Sequence, residues 1–260
     1  MSTKIIAKDV GKVYDTPHGP MTALHHFDLE VQEGEFVCIV GPSGCGKSTF
    51  LRILAGLEKQ SSGEVTILPG DNPGKPLNNV VFQEYAIFPW KTVIDNVAFG
   101  LQMRGVPKKE RLDIARRWLD RVGLGHFAHY YPHQISGGMK QRVSIARALA
   151  NDPEVLLMDE PLGALDAQTR AVLQEELLRI WEETHKTVVY ITHSIDESVL
   201  MGDRVVLMTA HPGTNKAMFE VDIPRPRTLA VQGSRIFREL TLSIWESLKD
   251  EVMRAMAVQQ

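Results

Sequence analysis

The run Gly41-Pro42-Ser43-Gly44-Cys45-Gly46-Lys47-Ser48-Thr49 constrains this chain more than any other stretch, because it fits G-x-x-x-x-G-K-[ST]. Before it, Glu35 to Val40 reads as a short buried strand. After it, Thr49 to Leu57 reads as a helix with apolar Phe50, Leu51, Ile53, Leu54 and Leu57. Strand, glycine-rich loop and helix in that order is the setting this motif requires. Glycines let the backbone curl so that its N–H groups converge on a phosphate, and the helix N-terminus adds positive potential. Lys47 would reach the β- and γ-phosphates, and the Ser48 hydroxyl would bind Mg²⁺. The loop therefore reads as a binding site for a nucleoside triphosphate.

At 260 residues the chain can bury a full core, with room for a subdomain. Its 43% hydrophobic and 23% charged residues are ordinary for a soluble globular protein. A formal net charge of −3 gives no reason to expect nucleic acid, whose binding is driven by basic surface. The two cysteines, Cys38 and Cys45, fall in the strand and the phosphate loop, where a bridge would distort both; a reducing compartment is expected. Cys45 is open to two readings, a reactive thiol or an inert spacer. Residues 1–10 carry Lys4, Lys8 and Asp9 and no apolar segment of signal-peptide type, and no apolar run reaches membrane-spanning length. The expectation is a cytoplasmic protein that meets a membrane only through a partner.

Along the chain, residues 4–13 and 22–32 alternate apolar and polar in the manner of antiparallel strands, with a turn cluster from Asp15 to Pro20 between them. Tyr14 at the first strand's end could stack on a base or pack at an edge. Residues 64–68 and 79–83 read as further strands, the second ending on Gln83. From Tyr85 to Asp152 the pattern turns helical, with helices over 92–103 and 108–122. His126, His129 and His133 have helical spacing, but Pro132 interrupts and neither Cys nor carboxylate joins them, so they read as ordinary histidines. Ser136-Gly137-Gly138 precedes a helix from Met139 to Ala150, a helix start able to hold an anion or simply a turn and cap.

Strand tips carry the remaining chemistry. Val155 to Met158 is apolar on both faces, as in a central parallel strand, and ends in Asp159 and Glu160. Carboxylates there are costly without a nearby positive charge, which Mg²⁺ would supply, leaving Glu160 to polarise a water. Thr187 to Thr192 repeats the pattern and ends on His193, which could contact a γ-phosphate or serve the structure. In an open α/β sheet such tips face the ligand crevice. Residues 204–208 read as the last core strand, 223–227 (Ile-Pro-Arg-Pro-Arg) as an extended linker, and 234–256 as an amphipathic helix with Phe237, Leu240, Ile244, Trp245 and Leu248 on its apolar face.

In this order the pieces resemble the ATP-binding-cassette (ABC) family over nearly the whole chain. Ser136-Gly137-Gly138-Met139-Lys140-Gln141 resembles its L-S-G-G-Q signature, with Ile135 for Leu and Met139 for Gln, and Gly163-Ala164-Leu165-Asp166 resembles its D-loop. The resemblance implies an α/β fold: a P-loop NTPase (RecA-like) core with an antiparallel β subdomain and an inserted α-helical subdomain. The expected division is one cassette, residues 1–84 and 155–210 forming the core, 85–154 the helical subdomain and 211–260 a C-terminal extension. It implies ATP and Mg²⁺ as ligands. Tyr14 would stack on adenine, while Gly41, Pro42, Ser43, Gly44, Cys45, Gly46, Lys47, Ser48 and Thr49 would hold the phosphates. Ser48, Gln83 and Asp159 would serve Mg²⁺, Glu160 would be the general base, and His193 the γ-phosphate switch. Ser136, Gly137, Gly138, Met139 and Gln141 would act in trans on a second cassette, with Asp166 in the D-loop.

Hydrolysis would then need a dimer, with the same or a different cassette, coupled to two transmembrane permease subunits and an extracytoplasmic solute-binding protein, at the cytoplasmic face of the inner membrane. Residues 131–139, Phe88-Pro89-Trp90 and 223–227 look like the nitrate/sulfonate/taurine/bicarbonate importer group. An exporter or lipid-handling cassette is the nearest alternative. A soluble cassette acting on nucleic acid or ribosomes would be expected to carry tandem cassettes or a coiled coil. A small-molecule kinase would leave Ser136-Gly137-Gly138 and His193 unexplained.

Overall fold

The computed structural model describes residues 2–17 and 19–258; His18, within the turn cluster, lies outside the described residues. The chain forms two compact units, one built from residues up to Pro69 with those from Leu177 onward, the other from Gly70–Glu176.

The first unit opens with β1 (Thr3–Thr16) and β2 (Gly19–Gln32), antiparallel partners. Alternation decides which face of β2 is covered: Phe27, Leu29 and Val31 are buried, while His26, Asp28 and Glu30 are exposed. Then come β3 (Phe36–Val40), α1 (Lys47–Leu54) and β4 (Ser62–Ile67), the last pairing antiparallel with β1. Phe27 and Phe50 meet in this unit with ring centroids 4.5 Å apart.

The second unit contains β5 (Asn78–Val81), α2 (Val93–Val97), α3 (Phe99–Met103), α4 (Lys108–Arg121), α5 (Gly137–Ala150) and β6 (Val155–Asp159). Strands β5 and β6 run parallel, Val81 opposite Met158. The helix expected over 92–103 is broken at Ala98 into α2 and α3. Helix α5 packs on α2 and α4, and Val143, Ile145 and Leu149 of α5 and Ala115 and Leu119 of α4 are buried. His126 and His133 lie in separate short 3₁₀ turns, Gly125–Phe127 and Pro132–Gln134. Helix α6 (Ala167–Thr184), which the sequence reading did not single out, contains the boundary between the units.

The chain then completes the first unit with β7 (Thr187–Ile191), α7 (Ile195–Met201), β8 (Arg204–Met208), β9 (Asn215–Glu220) and α8 (Arg235–Val258). Strand β3 lies between β7 and β8, parallel to both, and every residue of β3 and β7 is buried. Strands covered on both faces must read as unbroken apolar runs, which is why these two do. Beyond β8 the sheet continues, since β9 pairs antiparallel along it. Helix α8 buries Phe237, Ile244 and Leu248, but Trp245 of the expected apolar face is half exposed. Among the described residues no helix is long and apolar enough to cross a membrane.

Glu251 of α8 ties this helix to the sheet. Its carboxylate is 1% exposed, 2.6 Å from Lys216 Nζ and 3.1 Å from Arg254 Nη1, and it accepts the Ala210 N–H at 2.8 Å. Burial alone would raise this carboxyl; the Lys216 and Ala210 hydrogen bonds with the neighbouring charges outweigh it and hold it below its ordinary 4.5. A carboxyl depressed on folding stabilises above its unfolded pKa and loses that contribution as pH falls through the folded value. Glu251→Gln is therefore expected to lower stability at pH 7, with the gap to wild type closing below pH 4.5 in urea melts taken across the acid range.

Candidate functional site: a phosphate loop and acidic strand tips

In the first unit the loop between β3 and α1 is shaped by backbone that no side chain could share. Gly44 has φ +77° and Gly46, the N-cap of α1, φ +102°, a left-handed region that favours glycine. A Cβ on Gly46 would lie 2.7 Å from the Ala23 carbonyl oxygen, whereas at Gly44 nothing stands within 4 Å. The loop is thus pressed against β2 on one side and open on the other, a cradle that fits a phosphate chain. Lys47 is buried at 5% exposure, and its ammonium donates to the carbonyls of Gly41 and Pro42, both at 2.9 Å. It is a buried positive charge facing its own loop, with Ser43 and Gly44 exposed beside it.

Cys45 is buried, and desolvation raises its thiol against the opposing pull of Lys47. That keeps it protonated at neutral pH and favours the inert-spacer reading over a reactive thiol. Burial also raises Cys38, helped by Glu197 and Asp203, and both cysteines are free. One contributor went unnoticed in the sequence: Gly213, after β8, donates to the Ala23 carbonyl at 3.0 Å, and a Cβ on it would come 2.0 Å from the Cys45 carbonyl oxygen. Pro212-Gly213 signals only a turn, and nothing local connects it with a loop far earlier in the chain. Tyr14, half-buried near the end of β1, has Lys12 Nζ 4.7 Å from its ring centre. His193 follows β7 and is exposed, lining a cleft of about 620 Å³ with Asp196, Arg238, Trp245 and Leu248.

In the second unit the tips of β5 and β6 bring Gln83 and Glu160 together, Nε2 to Oε2 at 3.3 Å. Asp159 is 6% exposed. Glu160 has φ +44°, an uncommon conformation for a non-glycine residue and one that gathers at functional sites. Ser136 caps α5, its hydroxyl accepting the Met139 N–H at 3.3 Å. The two glycines after it are boxed in: a Cβ on Gly137 would meet the Tyr85 hydroxyl at 2.7 Å, and one on Gly138 the Thr169 methyl at 2.7 Å. Gln141 points inward, fully buried, and neither amide atom has a hydrogen-bond partner among the described residues. Asp166 accepts the N–H groups of Gln168 and Thr169 at the start of α6, which holds its carboxyl below the usual aspartate range.

A second cleft, of about 640 Å³, opens between Gln83, Tyr85, Pro89, Pro132, Lys140 and Ala164. Its rim is ordered by Asn96, fully buried, whose amide donates to the carbonyls of Phe88, Lys91 and Thr92 and accepts the Phe88 N–H at 2.7 Å. Trp90, held in that rim, is 72% exposed. Sequence reading missed Asn96 and Tyr85 because neither belongs to a motif.

Residues 24–163 match the family model described as ABC transporter. The chain belongs to the ABC transporter family. An uncharacterised ABC transporter ATP-binding protein of Methanocaldococcus jannaschii is 48% identical, over 98% of this chain and 95% of that one. From Synechococcus elongatus, a nitrate import ATP-binding protein is 48% identical over 84% of this chain and 81% of its own length, and a bicarbonate transport ATP-binding protein 49% identical over 86% and 82%. Among solved structures, the dimeric structure of a bacterial ABC transporter cassette is similar with a TM-score of 0.74 and 36% identity, covering 85% of this chain and all of that one. The same cassette in a post-hydrolysis state bound to ADP and Pi has a TM-score of 0.74 at 35% identity, with the same coverage. The α/β P-loop fold and ATPase activity of this ABC subunit follow.

Closing the open geometry of the loop is expected to cost nucleotide binding. Gly46→Ala adds left-handed strain and a backbone clash, and Gly213→Ala pushes on the Cys45 carbonyl from outside the motif. Each is expected to weaken ATP affinity by roughly tenfold or more with the circular-dichroism spectrum unchanged, read by titration with a fluorescent ATP analogue.

Proposed function

We propose that this chain is the ATP-hydrolysing subunit of an importer for a small anion such as nitrate or bicarbonate. What supports the cargo class is the nitrate and bicarbonate names of relatives near half identity. Direction and solute rest on that likeness, because in this architecture the solute meets the permease and binding protein rather than the ATPase.

In this reading Lys47 and the N–H groups of residues 41–49 hold the phosphates of ATP, and Tyr14 packs on the adenine. Mg²⁺, when bound, neutralises phosphate charge; Ser48, Gln83 and Asp159 would hold it, an all-oxygen donor set of the kind that ion prefers. Glu160 accepts a proton from the attacking water, and His193 contacts the γ-phosphate. The support for Glu160 is its left-handed backbone beside Asp159, with the Gln83 amide 3.3 Å away. Ser136, Gly137, Gly138 and Met139 present a helix N-terminus to ATP on a second cassette, identical or not; Gln141, expected in trans with them, is fully buried and so does not reach that ATP directly. Asp166, as the cap of α6, sets the D-loop between them.

Residues 85–154 act as the helical subdomain, 1–84 with 155–210 as the nucleotide-binding core, and 211–260 as the extension. The cleft beside Trp90 takes a cytoplasmic segment of the permease, which holds the chain at the inner face of the membrane. Closure of two cassettes on ATP and reopening after hydrolysis then drive the permease.

Glu160→Gln is expected to lower ATP turnover by about 10²-fold or more while leaving ATP affinity intact, measured as phosphate release and nucleotide titration. Turnover near wild type in that variant would remove the general-base role. Lys47→Ala is expected to lose nucleotide affinity, and an unchanged titration would contradict the loop assignment. Tagged Glu160→Gln, trapped with ATP and captured from detergent-solubilised membranes, should bring down a multi-span permease. Its binding protein can then be titrated with nitrate and bicarbonate. Recovery of ribosomes or repair proteins instead would reject the transport reading.

A further inference from the structure

Helix α7 begins two residues after His193 and is only seven residues long, too short to hold itself in water. Its N-terminal end is tied locally. Ser194 Oγ accepts the Glu197 N–H at 3.2 Å, Thr192 Oγ1 accepts the Ser194 N–H at 3.0 Å, and the Thr192 hydroxyl donates to the buried Glu197 carboxylate.

Its C-terminal end is tied from a distance, by the stretch that the sequence presents as an extended linker. Arg227 is 4% exposed; its Nη1 donates to the carbonyls of Val199 (3.3 Å), Leu200 (3.4 Å) and Gly202 (2.5 Å). Arg225 Nη2 takes the carbonyl between them, Met201, at 2.7 Å. Two guanidinium groups thus collect four consecutive carbonyls at a helix end, where carbonyls lack partners and a positive charge is favoured. Both arginines are themselves anchored. Arg227 also donates to Ile223 and Val221 carbonyls at 2.9 and 3.1 Å. Arg225 donates from Nε to Asp203 at 2.8 Å and lies 3.8 Å over the Trp181 ring. Burial, and then the neighbouring Arg225, bring Arg227 down to about 10, so it remains a cation at neutral pH.

We propose that Arg225 and Arg227 are positioning residues for His193: by clamping the C-terminal end of α7 they fix the axial position and rotation of the short helix whose other end presents that histidine. The inference rests on the reading that His193 serves the γ-phosphate. A helix of this length spans only about 10 Å and moves as a unit, so a slip of one carbonyl at the clamped end, about 1.5 Å along the axis, carries the histidine with it. At Arg227 lysine cannot substitute, because a single ammonium lacks the planar fork that spans several carbonyls, whereas at Arg225, which takes one carbonyl of the helix end, an ammonium can keep part of the contact. The phosphate loop is held by different groups, Ala23 and Gly213, so loosening the clamp leaves ATP binding alone.

The test uses the full-length chain as Arg225→Gln, Arg225→Lys, Arg227→Lys, His193→Ala and the double variant Arg225→Gln/His193→Ala. Turnover, KM for ATP, nucleotide Kd and melting temperature are read for each. Arg225→Gln and Arg227→Lys are expected to lower kcat roughly tenfold, with KM and Kd within about twofold of wild type. Arg225→Lys should recover part of the loss, and Arg225→Gln should cost nothing further in the His193→Ala background, measured as release of labelled phosphate. Should Arg227→Lys not fold, the half-buried Arg225 carries the test alone. The same proportional loss with and without His193, or kcat and ATP affinity falling together, would reduce the clamp to a structural role. A large loss in His193→Ala with unchanged Arg225→Gln would overturn the positioning alone. Near-normal turnover in His193→Ala would overturn the role of His193 and the clamp's purpose with it.

Discussion

A run of backbone N–H groups can bind a phosphate chain only if something else keeps it curled, and here other stretches of backbone do that. The carbonyl of Ala23 stands where a side chain on Gly46 would go, and Gly213 sits so close to the Cys45 carbonyl that any Cβ would displace it. Lys47 meanwhile neutralises the inward-facing carbonyls of Gly41 and Pro42. Strand β2 and the turn after β8 therefore matter to the chemistry although neither carries a reactive group. The fully buried strand β3 fixes where the loop starts, and the left-handed Gly46 sets where α1 begins.

The second unit follows the same logic with charge in place of curvature. An apolar parallel strand delivers Asp159 and Glu160 at its end, and the left-handed backbone at Glu160 turns that side chain away from the direction a regular strand would give it. Such strain persists only where the surroundings hold it, and it gathers at functional sites. The rim containing Trp90 depends in turn on one buried amide, Asn96, that satisfies four backbone groups at once. Rigidity under an exposed aromatic suits a docking surface, since a preordered side chain has less entropy to lose on binding.

Most of the candidate site could be read from sequence because its residues sit in contiguous motifs. Residues 41–49, 136–141 and 159–160 each carry their glycines, hydroxyls and carboxylates within one short window. The fully buried strands could be read for a related reason, as burial on both faces leaves an uninterrupted apolar run. Boundaries were less legible. The turn at Ala98 splits a pattern that looks continuous at helical spacing, and α6, α7 and β9 carry polar faces that blur their periodicity. Gly213, Tyr85 and Thr169 gave no signal at all, because each matters only through a neighbour distant in the chain, and Asn96, whose partners are near in sequence, gave none because a buried asparagine looks like any other in the sequence.

The stretch 223–227 shows the division most plainly. Its alternating prolines and arginines read as an extended linker, yet Arg227 is buried among five carbonyls and Arg225 is stacked on an indole. By itself the sequence determined the α/β class and that the chain binds a nucleoside triphosphate, and it located the glycine-rich loop proposed to meet the phosphates, since local spacing sets local backbone shape. Only the tertiary structure decided what holds those residues in place: the carbonyl against Gly46, the glycine behind Cys45, the arginines at the end of α7. Each of these supports meets a backbone carbonyl from a segment apart in the chain, and a carbonyl leaves no mark on the identity of the residue that carries it.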